Sequence, residues 1–141
     1  MKTKHSKLTL LTLFASVIVI FTFSSCATKA PFLGSSVVPA ATGTVKITKD
    51  KNKNFSIQIK ISNLAGPERL TPPKSTYVIW LMSGENMAKN IGQINISNSL
   101  GASFETVSSF PPSKIMITAE DDANVLYPSN SKIVLITDFL K

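Results

Sequence analysis

The sequence predicts an all-β chain whose main domain, residues 42–141, is an immunoglobulin-like antiparallel β-sandwich of about seven strands. Three observations predict it. Apolar side chains recur at every second residue, most strictly at Phe55, Ile57, Ile59 and Ile61, which alternate with Ser56, Gln58, Lys60 and Ser62. Prolines and short polar runs break the pattern about every 10–15 residues, a spacing typical of short antiparallel strands. No stretch sustains the 3.6-residue apolar period of a helix that packs on one side.

The first 25 residues stand apart. Lys2, Lys4 and Lys7 make a basic start with no acid, and residues 8–23 carry no charge. A basic start, an apolar run and a small-residue exit form the pattern of a secretory signal peptide. The apolar run is shorter than the roughly 18–20 residues that cross a bilayer comfortably, which argues against a retained membrane helix. Phe23-Ser24-Ser25-Cys26 is similar to the bacterial lipobox, with Phe23 in place of the usual branched aliphatic residue. That resemblance implies cleavage between Ser25 and Cys26, and lipidation of Cys26. Two or three acyl chains, at about 0.8 kcal/mol per buried CH₂, then hold the chain on a membrane. Ala27 follows the cysteine and no acid occurs before Asp50. By resemblance to sorting rules in two-membrane bacteria, this implies the outer membrane, on its periplasmic side. Residues 26–41, rich in Ala, Pro, Ser and Gly, are expected to be a flexible lipid-anchored tether.

The strands follow in order. Val45 and Ile47 alternate with Thr44, Lys46 and Thr48, and residues 50–53 make a polar turn before the strand that begins at Phe55. Residues 65–74 contain Pro67, Pro72 and Pro73, which lack the N–H a ladder needs, so they are expected to form a loop. Residues 77–82 are apolar on both faces and read as a central strand. Further strands are expected at residues 90–97, 102–107, 114–120 and 132–138. Tyr77, Trp80, Phe55 and Phe104 are expected to fill the core.

Composition limits the chemistry. The chain carries 15 Lys and Arg against 8 Asp and Glu, one His and one Cys. Removing residues 1–25 takes away three lysines and the only histidine, so the net charge falls from +7 to +4 and Cys26 is the first residue left. A Ser-His-Asp triad, a Cys-His pair, a His/Cys zinc site and a disulfide framework are all excluded from what remains. No cofactor, resident metal or catalytic residue is expected, and the reading is non-enzymatic. An exported chain of modest charge is a poor nucleic-acid partner.

Four constellations remain. Lys46, Lys49, Lys51 and Lys53 cluster at the first hairpin, either as a basic tip for anionic headgroups or as a solvated turn that discourages edge pairing. Glu120, Asp121 and Asp122 are the only acidic run, and with Asn124 could begin a calcium site if the strand has ended by then. Met82, Met87 and Met116 are better core filler than copper ligands without His or free Cys. Tyr77 and Trp80, three residues apart on one strand, face opposite sides, so one of them is a candidate stacking surface for a glycan or peptide. Tyr77, Trp80, Glu120, Asp121 and Asp122 are therefore the candidate ligand surface.

Tyr77-Val78-Ile79-Trp80-Leu81, Ile91-Gly92, residues 102–104, Pro112, Ile117-Thr118-Ala119-Glu120, Pro128 and Ile133-Val134-Leu135 occur in a familiar order. This order resembles the C-terminal extracytoplasmic domain of anti-sigma-K-type factors, and the resemblance implies a β-sandwich. The family's Glu-Pro-x-Gly-Gly turn is replaced by residues 120–124 here, and its sigma-binding region and membrane helix have no counterpart. No contact with a sigma factor is expected. The implied role is a sensing or interaction module that contacts an envelope protein or glycan.

Overall fold

The computed structural model describes residues 27–84, 87–97, 99–129 and 133–140. Leader residues 1–25 and Cys26 lie outside the described residues. Among the described residues eight strands form two four-stranded antiparallel sheets. They are β1 (Ala27–Pro31), β2 (Thr42–Lys49), β3 (Phe55–Ser62), β4 (Thr76–Ser83), β5 (Met87–Ile94), β6 (Ala102–Ser108), β7 (Lys114–Glu120) and β8 (Ile133–Ile136). The strand orders are β1-β2-β3-β6 and β5-β4-β7-β8. The connections β3–β4, β5–β6 and β6–β7 cross between sheets, which gives strands β2 to β8 the crossed connectivity of an immunoglobulin-like sandwich.

Period-two alternation sets the register. Val45 faces Ile59 and Ile47 faces Ile57 across the β2–β3 ladder, so both strands send their branched side chains to the same interior. The turn between them is closed by Asp50, whose carboxylate accepts the Asn54 backbone N–H at 2.8 Å and the Asn54 side-chain N–H at 3.1 Å. The Asn54 backbone N–H holds the Asp50 carboxyl below its ordinary value. Opposite, Tyr77, Ile79 and Leu81 of β4 and Ile115, Ile117 and Ala119 of β7 complete the main core. Phe55 and Phe104 pack at its margin rather than inside it. Gly43 lets the β2 backbone approach its neighbours: a Cβ there would lie 2.8 Å from the Lys60 carbonyl and 3.0 Å from the Phe32 ring.

The largest difference from the sequence-based expectation is at the start. Residues 26–41 were expected to be a flexible tether, yet Ala27–Pro31 is strand β1, paired with β2 from Ala27↔Thr48 to Pro31↔Thr44. Beyond it Phe32 bridges Thr137, the Leu33 N–H donates to the Ile136 carbonyl at 2.8 Å, and Val38 and Ala41 are buried. The physical reason is the free edge of β2, where alternating Thr28 and Ala30 present small inward side chains. The short apolar pieces at Phe32 and Val38 then find core to cover. The fifth strand also starts earlier than expected, at Met87, because Ser83 and Met87 pair directly to close the β4–β5 hairpin.

Tyr77 carries a pH signature. Its ring is fully buried and its Oη–H donates to the Ala65 carbonyl at 2.9 Å. Burial, helped by the Glu68 carboxylate, pushes the phenol from its ordinary value of 10.0 up to about 12. A raised value means the fold favours the neutral phenol. Its contribution to stability is complete below about pH 10 and is lost as pH rises from there towards 12. The sequence has two tyrosines, so Tyr127→Phe leaves Tyr77 as the only phenol. Phenolate absorbance of that variant should rise near pH 12, together with unfolding; a titration near 10 in the folded protein would show that the ring is not buried.

Candidate functional site

The expected stacking surface is not a surface. Tyr77 and Trp80 do face opposite sides of the second sheet, but each is 0% exposed. Tyr77 lies in the main core, whereas Trp80 anchors a second cluster with Val78 and Met116 on the sheet's outer face. A strand that is apolar on both faces needs cover on both. Residues 121–129 supply it, with Val125 packed against the cluster.

A chain of hydrogen bonds holds this cover. The Trp80 indole N–H donates to Thr118 Oγ1 at 2.8 Å, and the Thr118 hydroxyl donates to Glu120 Oε1 at 2.7 Å. The Ser129 backbone N–H donates to the same carboxylate oxygen at 3.1 Å. Glu120 is 4% exposed, so a buried carboxylate joins the sheet to the far end of the covering segment. Asn90 does the same from β5. Its Nδ2 donates to the carbonyls of Ala123 at 2.8 Å and Val125 at 3.1 Å, while its Oδ1 accepts the Gly92 N–H at 3.0 Å. Gly92, at φ 140°, follows an irregularity in the β4–β5 pairing and meets the Phe104 ring, which would lie 2.8 Å from a Cβ.

The acidic run is thereby split three ways. Glu120 is held inside, Asp121 pairs with Lys74 at 2.7 Å, and Asp122 accepts the Asn124 N–H at 2.9 Å. The structure does not bring these three carboxylates to one point. Among the described residues no group of three or more His, Cys, Asp or Glu side chains is placed to hold a metal ion. Of the methionines, Met116 is in the Trp80 cluster, Met82 borders it and Met87 is exposed.

The exposed apolar surface lies elsewhere. Met87 is 64% exposed, Phe110 43%, Tyr127 82% and Phe139 63%. Met82, Met87, Lys89, Phe110, Tyr127 and Pro128 line an open groove of about 680 Å³. Phe110 is fixed by Ser108, whose hydroxyl accepts the Phe110 N–H at 3.0 Å and donates to the Phe110 carbonyl at 3.1 Å. Lys89 Nζ sits 4.6 Å from the Phe110 ring centroid, and Lys114 Nζ sits 3.9 Å from that of Phe139. Lys49 is paired similarly with Phe55 at 5.4 Å. Sequence reading missed these aromatic–lysine pairs because two of them join residues more than 20 positions apart. Only Lys49 and Phe55, direct partners in the first hairpin, were within reach of a register argument.

No known protein-family model matches the chain, and no curated protein matches it either.

Two substitutions test the cover. Thr118→Val strands the buried indole N–H of Trp80 and takes a donor from Glu120, so it should cost about 2–4 kcal/mol in urea unfolding. A loss below about 0.5 kcal/mol, the usual range for a surface change, would show that the chain of bonds is not structural. Asn90→Ala frees the covering segment while leaving the main core intact. Acrylamide should then quench Trp80, the only tryptophan, more strongly than in the unaltered folded protein; unchanged quenching would place the hold on the segment elsewhere.

Proposed function

We propose that this chain is an exported, lipid-anchored, non-enzymatic β-sandwich that acts through contacts with envelope components. The observation that carries this reading is the run from a basic, apolar leader into Phe23-Ser24-Ser25-Cys26. The residue after that cysteine, Ala27, already belongs to β1, so a lipid on Cys26 fastens the sandwich itself. Among the described residues no helix is long and apolar enough to cross a membrane. The proposed station is the outer membrane, facing the periplasm. The resemblance of residues 77–135 to an anti-sigma-K-type outer domain fits a module that senses or contacts a partner.

The alternative, capture of a glycan, peptide or metal at Tyr77, Trp80 or residues 120–124, is disfavoured by burial. Tyr77, Trp80 and Glu120 present no open face, and Asp121 and Asp122 are engaged locally. A contact with an envelope component at the exposed Met87–Phe110–Tyr127 surface, the bilayer itself included, agrees better with this geometry.

Growth with a radiolabelled fatty acid tests the anchor. The unaltered protein should carry the label and Cys26→Ala should not; equal labelling of both would remove the reading.

A further inference from the structure

The strand register decides which parts of the molecule share an end. In the first sheet Ala27 pairs with Thr48 and Phe55 with Ser108, so β1 and β3 begin where β2 and β6 finish. In the second sheet Ser83 pairs with Met87 and Met82 with Lys114, so β5 and β7 begin where β4 finishes. The short connection from Ser108 to Lys114 joins these two ends on one side of the sandwich. Ser113 ties that side together. Its N–H donates to the Met82 carbonyl at 2.7 Å, and its carbonyl accepts the Leu140 N–H at 2.8 Å.

The residue after Cys26 therefore shares an end with the β2–β3 turn, the β4–β5 hairpin, Phe110 and Phe139. Charge is divided along the strands in the same sense. Lys49, Lys51, Lys53, Lys89 and Lys114 lie towards this end, against Asp50 and Asp138 among the described residues. Glu68, Glu120, Asp121 and Asp122 lie towards the other, where Arg69 and Lys74 offset two of them, so that end is net acidic and this one net basic. Met87, Phe110 and Phe139 are exposed at the basic end, and the two phenyl rings each carry a lysine ammonium.

We propose that this end of the sandwich docks on an anionic bilayer surface. The exposed rings and Met87 enter the boundary between headgroups and acyl chains, and the lysine ammoniums stay with the phosphates. Each pair sets an exposed ring beside an ammonium, which supplies both the apolar and the cationic contact that this boundary takes. The proposal rests on the anchored reading of Cys26, which places the lipid one residue, about 3.5 Å of chain, before Ala27. At that range the docking contacts act intramolecularly, so individually weak ones suffice.

The test replaces the native lipid by a hexahistidine segment fused before Ala27 and held on a nickel-chelating lipid. Residues 27–140 contain all eight strands and both apolar clusters, so this piece keeps the fold, and buried emission from Trp80 verifies it. With Cys26 absent, a fluorophore on Asn52→Cys or on Ser103→Cys is the only label, at the basic and the opposite end respectively. On phosphatidylglycerol-containing vesicles doped with a headgroup nitroxide lipid, the label at position 52 should be quenched and that at position 103 spared. On phosphatidylcholine alone, or with Lys51→Glu, Lys53→Glu and Lys89→Glu combined, quenching at position 52 should be lost. Equal quenching at both positions, none at position 52, or indifference to lipid charge would each overturn docking. Because no acylation is involved, this outcome is independent of the fatty-acid labelling of Cys26.

Discussion

The second sheet is organised by one constraint: its central pair, β4 and β7, is buried on both faces, and β4 is apolar on both. Tyr77, Ile79 and Leu81 meet the first sheet, and Val78 and Trp80 point the other way, flanked on that face by Met82, Ala88, Met116, Ile133 and Ile136 but facing no second sheet. An indole left in water on the outer face would forfeit about 2–3 kcal/mol of burial, so residues 121–129 turn back over the sheet. Covering Trp80 creates a second demand, since its N–H is then cut off from solvent. Thr118 meets it, Glu120 meets the Thr118 hydroxyl, and the Ser129 backbone closes the sequence. The acidic run that starts at the last residue of β7 is thus partly a consequence of burying a tryptophan. A carboxylate can accept from both partners where an amide or a hydroxyl would accept less well.

This explains which parts of the molecule were legible in the sequence. All seven expected strands exist, because strict alternation from Phe55 to Ile61 and the doubly apolar run from Tyr77 carry their own periodicity. Residues 27–31 were not legible as a strand. They hold no large apolar side chain, and what makes them a strand is the unpaired edge of β2, a property of the assembled sheet and not of the segment. The role of Trp80 was half legible. Its opposition to Tyr77 followed from spacing, but whether the outer face was open or covered depended on a loop with no periodicity of its own. The aromatic–lysine pairs were hidden for a related reason: Lys89 and Phe110 meet only after the chain has crossed to the first sheet and turned back.

The two sheets differ in what their outer faces offer. The first turns Lys29, Lys46, Lys60, Gln58 and Glu105 outward, with Gln58 donating to Glu105 across β3 and β6 at 3.0 Å. Its edge strand carries Lys29, a charge that discourages pairing with another chain. The second has its outer face covered, and its exposed apolar residues are displaced to the margin of that cover and to the loops. The surface available for contacts is therefore set by where the covering segment stops, at Leu126, Tyr127 and Pro128, rather than by either sheet.

The pairing of β1 has a mechanical consequence. The chain enters the fold at Ala27 and runs along β2 for five paired residues before leaving it at Phe32. A pull on the preceding residue, directed away from the domain, acts along the strand axis and perpendicular to the inter-strand hydrogen bonds. Such a load is shared by the whole ladder at once, as in a lap joint, instead of opening it one bond at a time. The domain is consequently attached by shear, and its grip on whatever holds residue 26 outlasts that of a terminus peeled from a sheet.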